Sequence, residues 1–335
     1  MELSVSRRPE LEPSPSDERC SAAPAPELAL FDVPVPVGLR AFDESVRAST
    51  LGDRRNPPVV VLGGISANCF PAVRPDGSPG WWWGLAGEGS AIDPEHYCII
   101  GIDFAADESG ETAPSTFDQA RVLAGALDAI GIEQPVSIVG ASYGGMVALA
   151  LAEIEPRRIA RLAVIGAADA PHPAATAARE LQRRVVALGI EAGRGEEALA
   201  IARGMAMLTY RTPQEFAVRF DGGIVDSFPA ACSAPGGYLR ARGEAFLSVM
   251  SSQRFLSLSA SIDRHRVHPE HITSPTLLIG ADSDQLAFPE QLRALHAALG
   301  GRAELHLLDS LFGHDMFLKE AERVGRIVAP FLAGD

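Results

Sequence analysis

The run Val136-Ser-Ile-Val-Gly140-Ala-Ser142-Tyr-Gly144-Gly145-Met-Val-Ala-Leu149 narrows the choice of fold more than any other segment. It reads as a short apolar strand, a serine bracketed by glycines, and an unbroken helix of small and apolar residues. At such an elbow the serine holds a strained backbone conformation. Side chains at positions 140 and 144 would collide with the crossing strand and helix. The turn lifts the hydroxyl clear of the sheet and puts the Tyr143 amide at the positive end of a helix, where an oxyanion is stabilised. A bare Gly-x-Ser-x-Gly also arises by chance in a chain with 32 glycines; the strand before and the helix after set this one apart.

Further short apolar runs recur along the chain at Val59–Leu62, His96–Ile102, Leu162–Ile165, Thr276–Ile279 and Ala303–Leu308. Most end on a glycine or an acid and lack period-two alternation, as strands buried on both faces do. Helical patterns lie between them, over Thr116–Ile130 and Pro289–Leu299. Strand alternating with helix predicts an α/β fold with a mostly parallel sheet covered on both sides. The alternation breaks between residues 172 and 271. This stretch carries helical signals at 176–188, 196–210 and 243–262, and predicts a helical cap inserted over the carboxyl ends of the strands. The core is then 27–171 with 272–335.

Charge removes several classes of function. A formal net charge of −14 in 335 residues repels nucleic acid and anionic membranes. No apolar run is long enough to span a bilayer. Residues 1–26 are rich in Pro, Ser and Glu and lack the apolar stretch of a secretory signal, so a disordered tail on a cytoplasmic enzyme is expected. Cys20, Cys69, Cys98 and Cys232 are scattered and suggest no disulfide framework.

A serine nucleophile needs a base, and the base needs an orienting carboxylate. In a strand–elbow–helix fold these follow the serine in the order acid, then histidine. The late strand at 276–279 runs into Asp282-Ser-Asp284, and by spacing either acid qualifies. The last strand leads to Gly313-His314, the expected base. The loop after Val59–Leu62 offers Gly63-Gly64-Ile65, with the Ile65 amide as second oxyanion donor; a plain diglycine turn would use the same residues. His265, His268 and His271 match no standard zinc spacing and are expected on the solvated surface, and no metal is expected. The tryptophans at 81–83 are expected to pack beside the site entrance.

With these residues in place the chain resembles the homoserine O-acyltransferases of methionine biosynthesis, enzymes of the α/β-hydrolase fold, over about residues 58–330. The likeness rests on Gly80-Trp-Trp-Trp-Gly84 through Ala91-Ile92-Asp93, on Ser142-Tyr-Gly-Gly-Met146, and on Ala202-Arg203 through Thr209-Tyr210-Arg211. It continues in Ser283-Asp284 through Phe288-Pro289 and in Gly313-His314-Asp315. It selects Asp284 over Asp282. It also implies that Arg203 and Asp315 hold the amino-acid acceptor, which suits a zwitterion: a guanidinium for its carboxylate, an acid for its ammonium.

Two segments depart from the family pattern, the short loop 103–114 and the stretch Val249–Phe255. The short loop, with Leu181-Gln-Arg-Arg184, looks most like a branch regarded as succinyltransferases. The resemblance therefore implies L-homoserine as acceptor and succinyl-CoA as donor, with acetyl-CoA as the alternative donor, no bound cofactor, and a homodimer. A succinyl donor needs a cation near its distal carboxylate, and Arg211 is one candidate. Arg179, Arg183 and Arg184 are candidates for the CoA phosphates or for a solvated helix face. The rival readings are a serine O-acyltransferase of cysteine biosynthesis and an esterase or thioesterase using the same triad.

Overall fold

A computed structural model describes residues 26–39, 41–220 and 233–334. Apart from Pro26, the expected N-terminal tail lies outside the described residues. The described strands are β1 Leu28–Pro34, β2 Ser45–Leu51, β3 Pro58–Leu62, β4 Cys98–Ile102, β5 Val136–Ala141, β6 Ile159–Ile165, β7 Thr276–Ala281 and β8 Ala303–Leu308. They form one sheet in the order β1-β2-β4-β3-β5-β6-β7-β8. Only the β1–β2 and β2–β4 pairings are antiparallel, so β2 alone runs against the rest. The mostly parallel α/β sheet expected from the sequence is present. The β1–β2 hairpin is not among the expected strands. β1 forms one edge of the sheet, where a partly exposed strand needs no continuous apolar run.

Alternate residues of the central strands enter two separate cores. Val60, Leu62 and Ile138 face helices α1 (Thr116–Ile130) and α2 (Tyr143–Ile154). Val59, Val61 and Val139 face the opposite core, which holds Trp82 and the C-terminal helix at Ala321–Ala333. That two-sided burial is why these strands read as continuous apolar runs. The bounds of α1 follow from its ends: Ser115 and Asp118 form a reciprocal capping box, and Gly131 closes the helix at φ 80°.

Between β6 and β7 lie α3 (Pro173–Glu191), α4 (Gly195–Tyr210), α5 (Pro213–Arg219), α6 (Ala234–Phe246) and α7 (Ser252–Asp263). The single helix expected over 243–262 is instead two. The chain breaks at Leu247–Ser251, where the Ser251 side chain accepts a hydrogen bond from the Arg254 amide and starts α7 afresh.

His265, expected on the surface, is buried. Its Nδ1 lies 2.8 Å from Thr116 Oγ1 and its Nε2 3.0 Å from the Ala168 carbonyl. Because a carbonyl can only accept, Nε2 carries the proton and Nδ1 accepts from the threonine hydroxyl. Burial pushes the imidazole pKa down to about 4, against a backbone bond that favours the charged ring. The unfolded chain therefore binds a proton that the folded chain refuses between about pH 6.5 and 4. The stability from the neutral ring is present above pH 6.5 and is lost as pH falls to 4, amounting to roughly 3 kcal/mol. Urea melts across that window should show His265→Asn losing less stability on acidification than the parent; equal slopes would refute the assignment.

Candidate active site

Ser142 sits at the end of β5 and opens α2 at φ 54° and ψ −121°, the one non-glycine with positive φ among the described residues. The flanking glycines make this possible. A Cβ at Gly140 would lie 2.5 Å from the Gly144 carbonyl oxygen, and one at Gly144 would lie 2.5 Å from Leu62. Neither backbone nor strand can yield to such contacts, so both positions exclude a side chain.

His314 follows β8 and reaches back over the elbow. Its Nε2 lies 2.8 Å from Ser142 Oγ and its Nδ1 2.8 Å from Asp284 Oδ2. The other oxygen of Asp284 accepts from the amides of Leu286 (2.8 Å) and Ala287 (3.1 Å), which fixes the carboxylate. Asp282 points elsewhere and accepts from the Ser310 amide. Burial alone would lower the His314 pKa. The charge and hydrogen bond of Asp284, helped by Asp315, outweigh it, and the net shift is upward. An imidazole biased this way can take a serine proton and hold the resulting charge against Asp284.

The Tyr143 and Ile65 residues line the recess around the Ser142 hydroxyl. Neither amide donates to a backbone carbonyl among the described loop and cap bonds. The elbow is itself braced, since the Gly144 amide donates to the Gly63 carbonyl at 2.8 Å and ties the two glycine turns together. The buried Tyr143 side chain points away into the core, where its hydroxyl pairs with Ser261 Oγ of α7 at 2.5 Å. Burial pushes its pKa well above the ordinary phenol value, so it stays protonated.

Arg203 and Asp315 open onto the same recess as Ser142 and His314. The Arg203 guanidinium lies 5.2 Å from the Tyr210 ring centre and 4.8 Å from that of Phe246. No carboxylate pairs with it among the described residues. Asp315 is one residue beyond the base, with Oδ2 at 3.2 Å from Arg211 Nη2. Arg211 is buried and also pairs with Glu215. It therefore braces Asp315 and is not the free cation suggested for a distal carboxylate. Glu215 lies only four residues along the chain, but Asp315 comes from a segment about a hundred residues away, which no local pattern announces. Arg179 and Arg183 are largely shielded, both bonding the partly buried Asp263, whereas Arg184 lies on the exposed helix face. Of the three tryptophans, Trp82 is buried and donates to the Phe317 carbonyl at 2.9 Å, Trp81 stacks on it and lines the recess, and Trp83 is exposed.

Asp93, Glu95 and His96 bring donor atoms within 4.8 Å of one another, and none of them lines the recesses at Ser142. Among the described residues no helix is long and apolar enough to cross a membrane.

The family described as alpha/beta hydrolase fold matches residues 57–321. A homoserine O-succinyltransferase of Xanthomonas campestris pv. campestris is 39% identical over 291 residues, covering 86% of this chain and 78% of that protein. A homoserine O-acetyltransferase of Thermus thermophilus is 31% identical, covering 84% of this chain and 83% of its own. Among solved structures, the homoserine O-acetyltransferase of Bacillus anthracis superposes with a TM-score of 0.78 at 16% identity, covering 92% of this chain and 98% of that one.

Proposed function

The chain belongs to the homoserine O-acyltransferase family of α/β-hydrolase-fold enzymes, and from that membership we propose that it moves a succinyl group from succinyl-CoA to the hydroxyl of L-homoserine, the acylation step of methionine biosynthesis. Support for succinyl over acetyl comes from the relatives, 39% identical to a succinyltransferase against 31% to an acetyltransferase. A cytoplasmic homodimer is part of the same reading and rests on the family likeness.

The chemistry divides into two half-reactions. His314 takes the Ser142 proton through Nε2 as the serine oxygen attacks the thioester carbonyl, and the Tyr143 and Ile65 amides hold the oxyanion. Collapse expels the CoA thiolate, which takes the proton from His314, and leaves an ester on Ser142. Homoserine then enters with its carboxylate against Arg203 and its ammonium against Asp315. Through the same Nε2, His314 removes the homoserine hydroxyl proton, and that oxygen attacks the ester carbonyl. Ser142 leaves with the proton returned by His314.

One observation carries transfer over hydrolysis. A cation lacking a described carboxylate partner and an acid braced by an arginine open onto the recess that holds Ser142 and His314. A water nucleophile needs neither; an amino-acid nucleophile needs both. L-serine, one methylene shorter, is the alternative acceptor, and such a difference matters in a polar site. Thiol release from succinyl-CoA with homoserine, with serine and with no acceptor tests this. Release that depends on homoserine is expected. Equal release without acceptor would make the protein a thioesterase, and dependence on serine would reassign the acceptor.

A further inference from the structure

A second recess meets the first at Ser142, and its chemistry differs. The two share Ser142, Tyr143, Tyr210, Ile262 and His314. Where the first carries Ile65, Arg203 and Asp315, the second is walled by Met146, Ala178 and Leu286 and carries Arg179 and Gln182 of α3. These two polar residues are three apart on one helix and so project from the same face. The recess is narrow and mostly apolar beside the nucleophile, with polar groups supplied from one helix.

The electrostatics of those groups are unbalanced. Arg179 bonds Asp263 Oδ1 through Nε at 2.9 Å and Nη2 at 2.6 Å, while Arg183 reaches Oδ2 of the same carboxylate at 2.7 Å. Two guanidinium groups thus share one carboxylate, and the side chains of all three are at most 19% exposed. The cluster keeps one net positive charge in a poorly solvated place. Arg179 Nη1 has no partner among the described residues, and no acidic residue lines the recess. Gln182 is only 4% exposed, and its carboxamide likewise makes no hydrogen bond to a described residue. Neither Arg179 Nη1 nor the Gln182 carboxamide is among the fully buried unpartnered atoms, so both face the open space of the recess and are available to a ligand. An anion in the recess would meet the excess positive charge and a carboxamide donor together. The charge is also close enough to the base to be felt there, since Arg179 acts to lower the His314 pKa.

We propose that Arg179 and Gln182 bind the distal carboxylate of a dicarboxylic acyl group while its other end is carried on Ser142. The inference rests on the acyl-transfer reading above and deepens it by assigning the residues that choose the donor. Asp263 holds the Arg179 fork at its Nε edge and leaves Nη1 for the ligand. An acetyl group would leave that end of the recess unfilled and its charge unpaired, and a butyryl group would bring methyl hydrogens to it.

The test compares kcat/KM for succinyl-CoA, butyryl-CoA and acetyl-CoA, all with homoserine, in the parent and in Arg179→Met, Arg179→Lys and Gln182→Leu. Butyryl-CoA matches succinyl-CoA in chain length and lacks only the carboxylate. The parent should favour succinyl over butyryl. Arg179→Met should reduce the succinyl-to-butyryl ratio roughly 10- to 150-fold, the range of a hydrogen bond to a charged group. Arg179→Lys should recover part of it. Gln182→Leu leaves the three ion-paired residues untouched and should shift the ratio in the same direction, guarding against a folding defect in the arginine variants. Equal losses with every donor, or a ratio that does not move, would reduce Arg179 to a partner of Asp263 and overturn the proposal. A parent that uses acetyl-CoA and not succinyl-CoA would instead remove the donor reading, and the inference would go with it.

Discussion

Ser142→Ala should lower kcat for succinyl-CoA-dependent homoserine acylation by roughly 10⁴- to 10⁶-fold, with little change in the folded structure. The size follows from the linear arrangement of Ser142, His314 and Asp284, whose two bonds are each 2.8 Å. Remove the hydroxyl and no group remains at that place to carry the acyl chain, so neither half-reaction can proceed by the covalent route. His314→Ala should lose a comparable amount, and the double variant hardly more than either single one, because the two act as a unit. The decisive reading is structural. When the parent is mixed with succinyl-CoA in the absence of homoserine, mass spectrometry of the digest should find a succinyl increment on the peptide containing Ser142. Added homoserine should discharge it. Continued acylation of homoserine by Ser142→Ala at a rate near that of the parent would replace the ping-pong scheme with direct transfer between the two substrates.

Much of this arrangement was legible in the sequence because it depends on local sterics. Gly140 and Gly144 are required by contacts made within the elbow and with the adjacent strand, so their spacing around Ser142 announces the turn. Val59–Val61 and Val139 read as doubly buried because nothing in their neighbourhood alternates. What stayed hidden depends on partners remote in the chain. His265 is buried through Thr116, 149 residues away, and a histidine gives no local sign of such a match. Arg211 has Glu215 four residues on, but its contact with Asp315 joins two distant segments and leaves no local sign. Arg179 and Arg183 had the spacing of an exposed helix face, and only Asp263 on α7 turns that face inward. The break between α6 and α7 was lost for a different reason: Ser251 can sit in a helix or cap one, and its choice is fixed by packing.

Arg203 carries the second large effect. Arg203→Met should raise KM for homoserine and lower kcat/KM for the acceptor roughly 10²-fold, while acyl-enzyme formation from succinyl-CoA stays close to the parent rate. The asymmetry follows from where the residue stands. Its guanidinium is held against Tyr210 and Phe246 on the side of the recess that carries Asp315. It therefore faces the side of the recess proposed for the acceptor and makes no hydrogen bond to Ser142, His314 or Asp284. A charged hydrogen bond to a carboxylate is worth about 1.5–3 kcal/mol, which sets the size of the loss. Methionine keeps the apolar stem packed on the two rings, so the change removes charge and leaves shape. With the acceptor poorly held, water gains time at the ester, and the fraction of succinyl-CoA lost to hydrolysis should rise. Burst and steady-state kinetics on the same preparation separate the outcomes. If both half-reactions slow together, Arg203 supports the helix and does not bind the acceptor. If neither changes, the acceptor carboxylate is held elsewhere, and Asp315 alone fits this recess to an amino acid.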